Sequence, residues 1–371
     1  MDVRFATFNA SLYRSAAGQL VTDLSTPADA QAKAVAEIIQ RCRPDVLLVN
    51  EFDFDDDGRA VALFRDNYLA VPQREAEPIA YPYFFTAASN TGIQTGHDLD
   101  KDGVVGGPDD AFGYGLFPGQ YGMVVWSRFP IDLTAARTFQ TFLWEDMPGN
   151  LMPTDFYTPA EQEILRLSSK SHWDVPIRIG DGTIHFLVSH PTPPVFDGPE
   201  RRNARLKQDE IRFWADYISG PEASSYVYDD EGRRGGLAAR ELFVIAGDQN
   251  ADPFDGASIE GSIEHLLRHP RVVSSVVPSS QGAVEASAVR PSTADHAGPK
   301  SDPAHHTADF SEPRGTIRVD YVLPSAELSP LDAGVFWPVS SDPLSRLIGT
   351  FPFASSDHRL VWVDVRLPDR P

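Results

Sequence analysis

The chain is organised around short apolar runs that each stop at a carboxylate, an amide or an imidazole. Val3 to Phe8 ends at Asn9. Val46 to Val49 runs into Asn50 and Glu51. Thr183 to Ser189 is followed by His190, and Glu241 to Ala246 by Gly247-Asp248-Gln249-Asn250. Asp320 sits inside the run Thr316 to Leu323, and Asp357-His358 stands just before Leu360 to Val365. Such runs have strand length and are far too short to cross a bilayer, so no transmembrane segment is expected. Polar groups recurring at strand ends describe a rigid sheet scaffold that presents chemistry from its loops.

Helical spacing separates the runs. Pro27 to Arg41 places Ala34, Ile38 and Ile39 on one face, with Thr26 as its cap. Pro199 to Ile218 carries Leu206, Ile211, Phe213, Trp214 and Tyr217, and a shorter helix is expected around Ile259 to Arg268. Further strands are expected at Tyr121 to Trp126, Ile131 to Thr138 and Asp174 to Ile179. Strands outnumber helices and alternate with them, which points to an α/β (α+β) sandwich with a mixed or antiparallel sheet core. Segments near 72–120, 141–172 and 278–315 are rich in turn-forming and polar residues and read as long insertions. The 371 residues are then expected to form a single domain, 1–371.

Charge narrows the partners. Asp and Glu number 53 against 32 Lys and Arg, a net charge of −21. A generally basic nucleic-acid binder is excluded, and no stable nucleic-acid partner is expected, because duplex phosphate is repelled at long range. The lone cysteine, Cys42, permits neither an intramolecular disulfide nor a cysteine-based zinc site. Acidity, few lysines and 31 prolines lean toward a secreted or periplasmic protein. Met1 leads straight into a strand with no leader before it, which keeps a cytoplasmic location as the alternative.

Acidic and amide oxygens suit hard cations such as Mg²⁺, and the two histidines add proton-transfer capacity. The ordered set Thr7-Phe8-Asn9, Asn50-Glu51, Tyr121-Gly122-Met123, Ser189-His190, Gly247-Asp248-Gln249-Asn250, Arg318-Val319-Asp320-Tyr321 and Ser356-Asp357-His358 resembles the endonuclease/exonuclease/phosphatase superfamily. These are the deoxyribonuclease I-like metal-dependent phosphoesterases. The resemblance implies a four-layer α/β/β/α sandwich of two mixed sheets with helices outside, and a site at one end. It implies that Glu51 is the principal ligand of Mg²⁺ (or Mn²⁺), with Asn9 and Asp357 nearby. It further implies that Asp248 orients or deprotonates the attacking water and that Asn250 hydrogen-bonds the phosphate. His358 would contact the scissile phosphate, with Asp320 fixing its tautomer, and His190 would assist at the phosphate or leaving oxygen. Tyr121 falls in a motif of the same set and is expected to meet substrate.

Other polar groups invite roles of their own. Asp98, Asp100, Asp102, Val104 and Asp109, with Gly103 at position six, have the spacing of a structural Ca²⁺ loop without helical flanks. Asp109 stands where a bidentate glutamate is usual. Among basic residues, Lys170, His172 and Arg205 are candidates for a phosphate pocket. His296, His305 and His306 lie in the polar loop within reach of a metal. The expected activity is a monomeric, Mg²⁺-dependent phosphatase or phosphodiesterase of a small phosphate ester. The alternatives are a nuclease of the same superfamily or a non-catalytic calcium-binding interaction module.

Overall fold

A computed structural model describes residues 1–292, 299–310 and 314–368. Its strands are β1 (Asp2–Leu12), β2 (Val46–Phe52), β3 (Tyr83–Phe85), β4 (Met123–Ser127), β5 (Arg137–Thr138), β6 (Trp173–Ile179), β7 (Gly182–Val188), β8 (Leu242–Asp248), β9 (Ala308–Phe310), β10 (Gly315–Ile317), β11 (Asp320–Pro324), β12 (Ser329–Val335) and β13 (Val361–Arg366). One sheet has the order β12-β13-β1-β2-β4-β3 and the other β11-β8-β7-β6-β5, while β9 and β10 form a small ribbon. β1–β2 and β7–β8 pair in parallel, and the other pairs are antiparallel, so both large sheets are mixed. No helix among the described residues is long and apolar enough to cross a membrane.

The apolar runs are continuous because their strands are buried on both faces. Val3, Phe5, Val46, Leu48 and Val125 of the first sheet meet Val175, Ile177, Phe186, Val188 and Val244 of the second. The Phe5 and Phe186 rings lie 5.5 Å apart across this layer. On the outer face of the first sheet, Ala6, Phe8, Leu47 and Val49 pack against Val35, Ile38 and Ile39 of helix α1 (Ala30–Cys42). On the outer face of the second, Leu187, Phe243 and Ile245 pack against Ile211, Trp214 and Ile218 of helix α2 (Arg202–Ile218). The expected helix/sheet/sheet/helix layering is thus present.

Several boundaries differ from expectation for identifiable reasons. Asp29, not Thr26, caps α1, its carboxylate accepting the Ala32 N–H at 2.7 Å. The Thr26 carbonyl instead accepts the Tyr68 hydroxyl. Arg43 ends the helix in the left-handed conformation, immediately before Pro44, which cannot continue it. The segment expected as loop over 278–315 holds helix α3 (Gln281–Val289), capped by Ser280. The run Thr316 to Leu323 divides into β10 and β11, and the helix near 259–268 shrinks to Glu264–Leu267. β12 escapes the pattern because it lies at a sheet edge, contains Pro330 and is largely exposed.

Candidate active site

Strand direction gathers the polar ends at one rim. Asn9 and Glu51 lie toward the C-terminal ends of the parallel pair β1–β2, and His190 and Asp248 at the corresponding ends of β7–β8. β11 and β13 run antiparallel to β8 and β1, so it is their starts that reach this rim. Asp320, the first residue of β11, sits directly opposite Asp248. Asp357 and His358 precede β13 in the same way. Asn9 Nδ2 donates to Asp248 Oδ2 at 3.1 Å, and the Asp248 N–H donates to Asn50 Oδ1 at 3.3 Å, joining the two sheets at the rim.

Asp248 is the hub. His190 Nε2 lies 3.3 Å and His358 Nε2 3.6 Å from its Oδ2. Its Oδ1 accepts the Asn250 N–H at 2.9 Å. Burial alone would raise its pKa, but His358, His190 and these hydrogen bonds outweigh that and hold it well below the usual carboxylate range. His358 Nδ1 pairs with Asp320 Oδ2 at 2.9 Å, and the Thr307 hydroxyl donates to the same oxygen at 2.8 Å. Burial opposes the charge on His358, yet Asp320 and Asp248 raise its pKa well above the ordinary histidine value. His190 goes the other way: burial first, then Lys170, lowers it to about 4. Two imidazoles beside one carboxylate are thus held in opposite protonation states.

Glu51 faces the same cavity, which has a volume of about 980 Å³. Burial and then Asp357 push its carboxyl up to about 7, against the opposing influence of His358 and the Asn9 amide. Carboxylates that raise one another in this way leave a deficit that a cation corrects, so this donor set fits a hard divalent ion. Glu51, Tyr121 and Asn250 adopt left-handed backbone angles (φ 58°, 57° and 50°), conformations that a side chain disfavours and that concentrate where function demands a particular aim.

Among the substrate candidates, Tyr121 and Lys170 line the cavity. Burial lowers the Lys170 pKa, and Glu210, Glu51 and Asp248 oppose the shift. His172 does not reach the cavity. Its Nδ1 meets the Ser168 hydroxyl at 2.6 Å, its Nε2 meets the Glu210 carbonyl at 2.8 Å, and its ring packs on Phe213 and Trp214. Arg205 also falls outside the lining, whereas Arg202, one turn earlier on α2, is part of it. In the acidic loop, Asp98, Asp100 and Asp102 bring oxygens within 4.8 Å of one another. Asp109 does not join them; it lies 4.0 Å from Arg202 and lines the cavity. Asp110 takes the bracing role instead, accepting the N–H groups of Leu99, Gly106 and Gly107. The Val104 side chain is exposed.

Two buried charges on α2 support the site without having been expected. Lys207 Nζ donates to the Asn250 carbonyl at 3.1 Å and to the Ser258 hydroxyl, and burial lowers its pKa to about 7. Glu210 accepts the N–H of Ser169 at 2.8 Å and of Thr192 at 2.6 Å, which fixes the loops bearing Lys170 and His190. A signal was present in the sequence. Lys207, Ile211 and Trp214 share one helical face, and a lysine on an apolar stripe is rarely idle.

The family model described as Endonuclease/Exonuclease/phosphatase family matches residues 6–358. No curated protein matches the sequence significantly. Among solved structures, the chain is similar to an endonuclease/exonuclease/phosphatase from Beutenbergia cavernae DSM 12333 (18% identity, TM-score 0.53, covering 100% of this chain and 72% of that one). It is also similar to sphingomyelinase C from Streptomyces griseocarneus (16%, 0.48, 98% and 99%). A third is a beta toxin variant from Staphylococcus aureus with bound magnesium ions (14%, 0.47, 98% and 99%).

Proposed function

Because the chain belongs to the endonuclease/exonuclease/phosphatase family, whose members are metal-dependent hydrolases of phosphoester bonds, we propose that it is a phosphatase or phosphodiesterase of a small phosphate ester. The observation that carries this reading is the convergence of His190, His358 and Asn9 on Asp248 Oδ2. An ionised Asp248 orients the attacking water or deprotonates it. The imidazolium of His358, fixed by Asp320, donates to a phosphate oxygen. The neutral His190 attends the leaving oxygen, the Asn250 amide hydrogen-bonds the phosphate, and Lys170 adds positive charge to the pocket. Glu51, with Asn9 and Asp357, would hold Mg²⁺ or Mn²⁺, which supplies charge neutralisation at the non-bridging oxygens. Asp98, Asp100 and Asp102 are the proposed seat of a structural Ca²⁺. The acidic, lysine-poor composition with its 31 prolines supports export.

A nuclease reading has one observation in its favour. The rings of Tyr13 and Tyr114 lie 4.6 and 6.3 Å from that of Tyr121, forming an aromatic surface on which unpaired bases can stack.

The test is hydrolysis of p-nitrophenyl phosphate and bis-p-nitrophenyl phosphate with Mg²⁺, Mn²⁺ or Ca²⁺, against EDTA. Metal-dependent turnover of at least one is expected, falling by about 10³-fold or more in Asp248→Asn. Full activity in Glu51→Ala would sink the metal-hydrolase mechanism. Turnover of single-stranded DNA alone would favour the nuclease. No turnover with calcium still bound would favour the non-catalytic module.

A further inference from the structure

Asn90 is a buried hub behind one wall of the cavity. It is 0% exposed, and all its polar groups are engaged. Its N–H donates to the Lys170 carbonyl at 2.8 Å, and its carbonyl accepts the Gly113 N–H at 3.2 Å. Its Nδ2 donates to the carbonyls of Gln140 and Ser168, both at 2.7 Å, and its Oδ1 accepts from Arg166 Nη1 at 2.6 Å. One asparagine thus ties Arg166 to the backbone of Lys170 and to the residue after Phe112. Gly113 permits the close packing, because a Cβ there would stand 1.8 Å from the Ser169 carbonyl oxygen.

Arg166, Phe112 and Lys170 all line the cavity that holds Glu51, Asp248 and His358. The Arg166 guanidinium lies 4.1 Å over the centre of the Phe112 ring. Stacking on one face and a hydrogen bond at one end fix its plane. Asn90 is its one hydrogen-bond acceptor among the described residues, so the remaining N–H donors of the fork are left for a ligand.

The charge of Arg166 is also without a counter-ion. Among the described residues no carboxylate pairs with it. Burial opposes its charge, and Asp230, the acid that favours it, is spent on Thr138, Gln140 and Thr141. Arg202, on the same cavity, is by contrast engaged by the Leu99 carbonyl and faces Asp109. In a chain with 53 acidic residues, a half-buried guanidinium held rigid and kept from every carboxylate is costly unless an anion arrives from outside. Lys170 already serves the scissile phosphate, so Arg166 is surplus to that task.

We propose that Arg166, stacked on Phe112, is a subsite for a second anionic group, so that the preferred substrate is a small phosphate ester carrying a further phosphate or carboxylate on its alcohol portion. The inference rests on the phosphoester-hydrolase reading and deepens it. A planar guanidinium offers parallel N–H donors that match either oxyanion. The second anion is remote from the bond that breaks, so it strengthens binding and lowers KM rather than raising kcat.

The experiment compares alkyl monophosphates with alkanediol bisphosphates and ω-carboxyalkyl phosphates of matched and increasing chain length, at one free Mg²⁺ concentration. Phosphate release gives kcat and KM, and calorimetry on Asp248→Asn gives affinity without turnover. Doubly charged esters of the best-fitting length should bind about 10-fold or more tightly than the monophosphate, with KM carrying the difference. The stronger of the two series identifies the second group. Arg166→Met should remove the preference, and Arg166→Lys, which keeps the charge without the fork, should retain only part of it. Should Arg166→Met fail to fold, Arg166→Gln and Phe112→Leu, which removes the stacked face, replace it. Equal affinity for singly and doubly charged esters at every length would overturn the subsite, as would a preference that survives loss of Arg166. Turnover without the preference would sink the subsite and leave the hydrolase reading intact. An Arg166-dependent preference in binding, with no turnover of any ester, would do the reverse.

Discussion

Identical residue types serve opposite purposes here, and environment alone separates them. His358 gains two carboxylate neighbours and is held charged against its burial, whereas burial, with Lys170 adding to it, holds His190 neutral. His172 is a third case. Both its nitrogens are occupied inside the core, and burial lowers its pKa to about 4. Its stability contribution has a definite sign. In the unfolded chain the ring takes up a proton near pH 6.5, while the fold refuses that proton down to about pH 4. Stability attributable to this residue is therefore complete above pH 6.5 and falls as pH drops through that window, by ~3 kcal/mol in all. Urea unfolding at pH 7.5 and 5.0 checks it: His172→Gln should lower stability at pH 7.5 but narrow the difference between the two pH values.

At the scale of elements, close approach of strands decides where the site residues sit. Gly247 lies within β8 at φ 146°, and a Cβ there would stand 2.0 Å from the Ser189 carbonyl oxygen, next to His190. The glycine lets β7 and β8 bring His190 and Asp248 together. Gly247→Ala should cost about 3 kcal/mol or more and reduce activity further than its stability loss explains. Thermal melting alongside kinetics at a temperature where the variant is folded separates the two effects. Helix α2 acts at the same scale, presenting Lys207 and Glu210 inward beneath the loops that carry Asn250, Lys170 and His190.

For the whole molecule, the relevant balance is negative charge against bound cations. Acidic groups collect at the Glu51–Asp357–Asp248 rim and at Asp98, Asp100 and Asp102, and a cation bound at either place would stabilise the folded state over the unfolded chain. Mg²⁺ at about 100 times its Kd should stabilise the protein by ~2.7 kcal/mol per site. Melting in MgCl₂ against EDTA should show this shift in wild type and a smaller one in Glu51→Gln. An equal shift in both would place the responsible site elsewhere.

Much of this was legible before any coordinates. Strands buried on both faces need unbroken apolar runs, and a chain that ends such runs in Asn9, Glu51, His190 and Asp248 declares its rim by composition. Local chemistry wrote the layers and the polar rim into the sequence. It did not write the neighbours. Nothing in the polar stretch Ser168 to Ser171 announces that His172, just after it, is sealed between the Ser168 hydroxyl and the Glu210 carbonyl. Nothing local turns Asp109 toward Arg202, or brings His306 to Asp252 and Asp255 across some fifty residues. Protonation state, metal geometry and the identity of a pocket wall depend on distances between segments remote along the chain. Only the packing of two sheets and their covering helices sets those distances.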